Sequence, residues 1–447
     1  MDAPSAARAT GGVTARTRPR AARLPDWAWA IALVVLGSVV SWFRIEAAAR
    51  ATLWAEDGTF FLGDALDADP VSVLLKPYQG YLHLVPRIIA GVAVAVVPVE
   101  GYAIAMTVGS CLVVGAVSAV VFLCARSVVV WLPARIALGA LTFLAPAAGW
   151  EVLGNTANLH WYLLWLAPWL LLAAPRRRST AILLGVVGLV AALTEIQMLL
   201  FLPLLAWRFR DPNRWIVGAG VLIGSALQVA ALLLSPRDAG AETSPPFLST
   251  VQGYLYHAPM EAVFPSRQWK AAWVLHFGWW GAALVLLPFL VALAWVLWRG
   301  VAVERIAGAA LAAGSIVAWS AAYVLNSNPD FFYSETPVAL AIHLHLTRYG
   351  VVPSLYLLAL VVLATSVAVR AGEWSRTAVG VLVGVMVLTV VAAIIPQPSA
   401  RAGGPDWASQ IPPARNSCAV DDAPDRTAIA IAPDGWLVEM PCDRLAR

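Results

Sequence analysis

"LVPRIIAGVAVAVVP" (residues 84–98) is apolar but only about 15 residues long, and Pro86 and Arg87 interrupt its start. A helix needs about 20 residues to cross the hydrocarbon core of a bilayer. This stretch therefore either lies in the interface or makes a poor span, and every later loop changes sides with the choice. The arginines decide. With the basic N-terminus in the cytoplasm and 84–98 at the outer surface, the loops carrying Arg126 and Arg135, Arg176–Arg178, Arg208, Arg210 and Arg214, Arg299 and Arg305, and Arg370 and Arg376 all fall on the cytoplasmic side, as the positive-inside rule requires. A crossing at 84–98 would turn all of them outward.

The bulk composition agrees. Of 447 residues, 60% are hydrophobic and 13% are charged, with mean hydropathy +0.75. No soluble domain hides that much apolar surface, so the solvent for most of the chain is lipid. The 21 tryptophans suit two interfacial belts. Nothing reads as a nucleic-acid surface.

Apolar stretches recur at 27–46, 102–125, 134–149, 161–175, 179–194, 196–207, 214–234, 278–298, 305–325, 349–370 and 377–396. They predict an all-α polytopic protein of about 11 transmembrane helices in the plasma membrane, which is the inner membrane of a cell with two. Within 179–207 the residues allow one long tilted helix or two short ones; the positive-inside parity requires two. The first run is longer than a signal-peptide core. Residues 1–26, rich in Ala, Arg, Gly, Pro and Thr, read as a disordered basic cytoplasmic tail. Residues 27–396 form the transmembrane domain, with a first outer loop at 47–101, and 397–447 form an extracytoplasmic tail. In that tail Cys418 and Cys442 flank "TAIAIAPDGWLVEMPC" (427–442), where Asp434–Gly435 signals a hairpin turn. The pair reads as a disulfide tying a small β-rich module. Cys111 and Cys124 fall in one span as packing residues.

The long polar segments collect on the outer side. "LWAEDGTFF" (53–61) sets Glu56 and Asp57 between Trp54 and Phe60–Phe61. Carboxylates in partly apolar surroundings have perturbed pKa values and are functional candidates. "YQGYLHLVPR" (78–87) opens the interfacial segment with Tyr78, Tyr81, His83 and Arg87: aromatics that stack on a sugar face, and a cation that holds a phosphate. Arg348 starts the tenth apolar stretch, where an arginine calls for an anionic partner or a place at the membrane interface.

A single helix, a long outer loop with "W-x-E-D-x-x-F", then a short membrane-surface helix opening with Tyr and His resembles the GT-C glycosyltransferases. "GWEVLGNTANLHWY" (149–162), "VAALTEIQMLLFLP" (190–203) and "HLTRYGVVPSLYLLAL" (345–360) add to the likeness. The acids stand in reversed order here. The resemblance implies outer-face juxtamembrane helices and transfer of a sugar from a polyprenyl-phosphate donor to a glycan or glycolipid acceptor of the cell envelope, with inversion at the anomeric carbon. It implies Asp57 as base with Glu56 second, or the two sharing a divalent cation, Mg or Mn. Arg348 would hold the donor phosphate, with Lys76 and Arg87 next. Tyr78, Tyr81, His83, Glu151, Asn155, Asn158, His160 and Tyr349 would line the substrates. The Ala-, Arg- and Val-rich composition suits a high-GC bacterium, in which arabinose and mannose are candidate sugars. The rival readings are a transporter or lipid flippase, which needs polar groups at mid-membrane, and a non-catalytic envelope assembly protein, which gives Glu56–Asp57 no purpose.

Overall fold

The computed structural model describes residues 24–446 apart from 70, 238–242, 345, 373–374, 396–398 and 422–423. Most of the N-terminal tail, residues 1–23, lies outside the described residues. The principal elements are α1 (Asp26–Arg44), α2 (Leu84–Val96), α3 (Tyr102–Ala125), α4 (Leu132–Leu144), α5 (Leu159–Leu172), α6 (Arg178–Ala192), α7 (Pro212–Leu234), α8 (Phe247–His257), α9 (Arg267–Leu284), α10 (Leu287–Arg299), α11 (Ala302–Leu325), α12 (Thr347–Arg370), α13 (Ser375–Ile394) and α14 (Trp407–Cys418), followed by strands β1 (Arg426–Ile431) and β2 (Trp436–Pro441).

Among the described residues, eight helical stretches are long and apolar enough to cross a membrane: Asp26–Arg44, Val99–Ala125, Leu132–Gly149, Pro212–Leu234, Arg267–Arg299, Ala302–Leu325, Thr347–Arg370 and Ser375–Ile394. This makes the chain compatible with a multi-pass membrane protein, and three of the eleven expected spans are not among the eight. The other three expected spans are short: α5 has 14 residues, α6 has 15, and Ile196–Ala206 is an 11-residue 3₁₀ helix. At 1.5 Å per residue, α5 is about 21 Å long against a hydrocarbon core of about 30 Å. The span expected at 278–298 is longer than predicted, running from Arg267 to Arg299, and it bends at Gly278, whose φ is 63°. The segment 84–98 forms the short helix α2, as its length required.

The break between α6 and the 3₁₀ segment falls at Thr194–Glu195, where two polar side chains take over backbone hydrogen bonds. Thr194 Oγ1 donates to the Val190 carbonyl and accepts from Val85 N. Glu195 caps the 3₁₀ segment by accepting from Gln197 N at 2.6 Å. A run that is apolar by composition is thereby cut in two.

α5 is apolar around its whole circumference, and that is why it is central. Every residue of it is buried except His160. It packs against α3, α6, α12 and the 3₁₀ segment. Its first turn lies beside the 47–101 loop. Its C-terminal end reaches the opposite side of the molecule, where Ala174 N donates to Ser127 Oγ and the Pro175 carbonyl accepts from Asn213.

The C-terminal hairpin forms as predicted. β1 and β2 pair antiparallel from Arg426↔Pro441 to Ile431↔Trp436, and Cys418 and Cys442 are disulfide-bonded with Cα atoms 5.5 Å apart. This tail is more than an appendage, because it completes the core of the first loop. Trp407, Ile411, Ile429, Ile431, Val438 and Met440 pack with Leu53, Phe61, Leu62 and Leu66 in one buried cluster. Ala55 N donates to the Ala432 carbonyl at 2.6 Å, and Ala432 N donates to that of Leu53 at 3.0 Å. Gly58 permits this approach: a Cβ there would lie 2.5 Å from Ile431 Cδ1.

Candidate functional site

Two devices hold the tyrosine loop in place. Tyr78 and Tyr81 exchange backbone hydrogen bonds across Gln79 and Gly80, whose φ values are 50° and 80°. That is a two-residue turn with both central residues at positive φ, and glycine accommodates it best. Gln228 of α7 then grips Leu82. Its side chain accepts from Leu82 N at 2.8 Å and donates to the carbonyls of Leu82 and Ala192.

Asp57 is 2% exposed, and its carboxylate is committed to the second loop. It accepts from Thr156 N at 2.8 Å, Thr156 Oγ1 at 2.7 Å and Ala157 N at 2.6 Å. Burial pushes its pKa up to about 6 against the pull of these donors and of Arg401. Arg401, from the C-terminal tail, is itself 2% exposed. It donates to the carbonyls of Gly154 (2.9 Å), Leu153 (3.1 Å) and Thr52 (3.4 Å). Asp57 and Arg401 together staple three chain segments. Asp57, expected as the base, here acts as a clamp that accepts from three protein donors, so Glu56 is the less engaged of the two acids.

Glu56 is the open acid. It is partly exposed, and among the described residues it makes no ion pair and no hydrogen bond to another residue, accepting only from its own backbone N–H. Burial raises its carboxyl above the ordinary value. Arg348 and His160 pull it down, and Glu151 pushes it up. Arg348 and Glu151, whose charges act on Glu56, line a cavity of about 370 Å³ together with Trp54, Trp150, Arg237, Asn326, Ser327, Asn328, Tyr349 and apolar neighbours; Glu56 itself is not part of that lining. Arg348 bonds Glu151 at 2.7 Å and donates to the Tyr349 hydroxyl at 3.3 Å. Arg237 donates to Asn326 Oδ1 at 2.8 Å. The Ser327 hydroxyl is buried without a hydrogen-bond partner. Two guanidinium groups, amides and indole faces around one hollow suit an anionic group joined to a hydroxyl-rich one.

The other expected site residues divide. Glu151, Arg348 and Tyr349 line the cavity. Tyr78 and Tyr81 sit close enough to Glu56 for its charge to raise their phenol pKa values, after burial, which acts first; Tyr78 reaches about 12. His160 joins this group, its Nδ1 bonded to Glu195. His83 does not: it is 3% exposed among Phe61, Tyr78 and Tyr81 rings, with neither nitrogen partnered. Lys76 and Arg87 do not serve the cavity either. Both pair with Asp64, Arg87 at 2.7 Å, and Arg87 also lies over the Phe61 ring. Asn155 and Asn158 build the start of α5: Asn155 Oδ1 accepts from Asn158 N, and Asn158 Oδ1 accepts from Trp161 Nε1. Of the two acids expected to share a divalent cation, Asp57 already accepts from three protein donors and Glu56 from none on another residue among the described residues. Among the described residues, no three His, Cys, Asp or Glu side chains gather as a metal-binding group.

Sequence reasoning missed Arg237, Arg401, Thr156 and the partnership of Glu195 with His160. Each is a single polar residue whose partner is distant in the chain. Only Glu195 carried a signal, as a charge inside an apolar run.

Compared with known family models, characterised proteins and solved structures, the chain gives no match.

Proposed function

We propose that this chain is an inverting membrane glycosyltransferase. It moves a sugar from a polyprenyl-phosphate donor to a glycan or glycolipid acceptor on the extracytoplasmic side of the plasma membrane. The observation that supports the reading is a cavity lined by two arginines, one of which, Arg348, is close enough for its charge to act on the partly exposed carboxylate of Glu56. Glu56 takes the proton of an acceptor hydroxyl as its oxygen bonds the anomeric carbon. The bond from that carbon to the phosphate oxygen breaks on the opposite face. The departing phosphate's charge is met by Arg348, with Arg237 across the cavity. Trp54, Trp150 and the amides take the sugar. The transporter reading draws less support, since the span-end charges pair locally: Arg135 with Asp26, and Arg370 with Glu304.

The donor assay uses farnesyl-phosphoryl arabinofuranose and farnesyl-phosphoryl mannose as probes, with release of farnesyl phosphate as the readout. Purified protein in a bilayer should turn over at least one of them. Arg348→Ala should raise the donor KM about 10-fold or more, the worth of one charge-assisted hydrogen bond. Lys76→Ala should leave it unchanged. No release from either probe, or equal KM values in all three proteins, would overturn the proposal.

The orientation rests on the arginine-rich loops and on the disulfide in the tail that packs against the acidic loop. Because the native thiols are buried or disulfide-linked, single cysteines can be added directly. Asp69→Cys and Glu335→Cys should react with an impermeant maleimide on intact cells, and Arg177→Cys only after permeabilisation. Labelling of Arg177→Cys on intact cells would invert the topology.

A further inference from the structure

A second cavity, of about 780 Å³, lies at the other end of α12. Arg348, in the first turn of that helix, lines the first cavity, and Arg370, its last residue, lines the second. At 1.5 Å per residue the two arginines stand about 33 Å apart along the helix, so the cavities are separate sites. Arg126, which follows α3, and Arg135 of α4 complete the basic wall, and Asp26 at the start of α1 is the acid in the lining. Arg135 is fixed by that acid: its Nη1 and Nη2 donate to the two carboxylate oxygens, each at 3.1 Å. Arg370 is held from behind, by Glu304 of α11 at 2.7 and 2.9 Å and by the Arg299 carbonyl at 3.0 Å. Arg126 has only a share of Asp26, through one bond from Nη1 at 3.3 Å, and is 58% exposed. Among the described residues, two carboxylates thus serve three guanidinium groups, and the cation left over is Arg126.

The rest of the lining is largely apolar. Leu24, Val130 and Trp131 stand in the same wall as the arginines, and Leu24 and Val130 are left exposed there, Val130 by 78%. A free anion would use the guanidinium groups alone. An anion carried on hydrocarbon would use both kinds of surface, in a space of the size that ligand pockets have. The 23 residues that lead into Leu24 carry five arginines against one aspartate, so that stretch is a poor source of the anion. The arginines of this cavity belong to loops that the positive-inside rule places on the cytoplasmic side, where the leaflet is anionic and basic pockets between helices take up lipid head groups. We propose that this cavity binds the head group of an anionic phospholipid. Arg126 meets the phosphate, Arg370 flanks it, Arg135 and Asp26 form the fixed floor, and the acyl chains leave over Val130 and Trp131 into the bilayer.

The test reads lipid binding rather than sugar transfer, so its outcome is independent of the transferase reading. Full-length protein in detergent micelles is titrated with dioleoyl phosphatidylglycerol, and bound lipid is counted by native mass spectrometry. Arg126→Ala should raise the Kd about tenfold or more, the worth of a charge-assisted hydrogen bond. Arg126→Glu should raise it further, and Arg126→Lys, which keeps a point charge, should recover part of the loss. Arg177→Ala removes an exposed arginine of the α5–α6 loop outside this lining and should leave the Kd unchanged. Dioleoyl phosphatidylcholine, whose choline offsets the phosphate charge, should bind more weakly, and millimolar inorganic phosphate should not displace phosphatidylglycerol. Equal Kd values for wild type and Arg126→Ala, or equal binding of the two lipids, would overturn the proposal. Displacement by inorganic phosphate would make this a site for soluble anions and overturn the lipid assignment.

Discussion

Glu56→Gln is expected to cut the release of farnesyl phosphate by about 10²–10⁴-fold, the usual worth of a general base, with the donor KM little changed. The amide keeps the size of the side chain and removes its proton affinity. Asp57→Asn should act differently. An amide nitrogen at the position of either carboxylate oxygen would meet backbone N–H groups that now find an acceptor, so the variant should melt lower, by about 1–3 kcal/mol of lost stability. Its turnover per folded molecule should fall far less than that of Glu56→Gln. The pH profile gives a second check. A base must be ionised, and burial holds the Glu56 carboxyl above its ordinary value of 4.5. The wild-type rate should therefore fall as pH drops, along a limb centred above 4.5, and Glu56→Gln should lack that limb. Equal losses for the two acids at equal stability would restore Asp57 as the base.

The second large effect is expected far from the acids in sequence. Arg401→Ala removes a buried guanidinium that satisfies carbonyls of Thr52, Leu153 and Gly154. Those groups lie on the two loops that Asp57 joins, and they would be left without partners in a site too tight for easy hydration. Stability should fall by on the order of 3 kcal/mol, read as a melting temperature lowered by several degrees in detergent. Activity should fall with it, because Glu56 rides on the same loop. Arg401→Lys should recover little, since an ammonium lacks the planar fork that reaches three acceptors. An unchanged melting temperature in Arg401→Ala would show that the tail does not brace the site.

How much of this was legible beforehand follows from how local each cause is. The apolar runs and their arginine-bearing loops are local signals, so the long helices, the short α2 and the hairpin at Asp434–Gly435 all appear where the residues say. The three shortened segments do not announce themselves by composition, because the break between two of them is made by the hydrogen bonds of Thr194 and Glu195 rather than by hydropathy. In the site, "WAED" marked the loop but not which of its two acids the second loop engages. Adjacent residues on a helical turn point in different directions, and only the partner loop at 156–157 reveals which carboxylate is consumed. Arg348 and Glu151 were recognisable as polar groups at the edges of apolar runs. Arg87 looked equivalent, and the difference is Asp64, which pairs with it across 23 residues.

The three short segments also fix how deep the chemistry lies. α5, α6 and the 3₁₀ segment begin or end at His160 and Glu195 and run to the opposite side of the molecule. At about 21 Å they leave the floor of the site roughly 9 Å below the level a full-length span would reach. If the proposed orientation holds, the end of α5 that carries His160 would lie below the level reached by the longer helices, and under the proposed function a phosphate carried on a lipid chain could approach that depth with its hydrocarbon still in the bilayer.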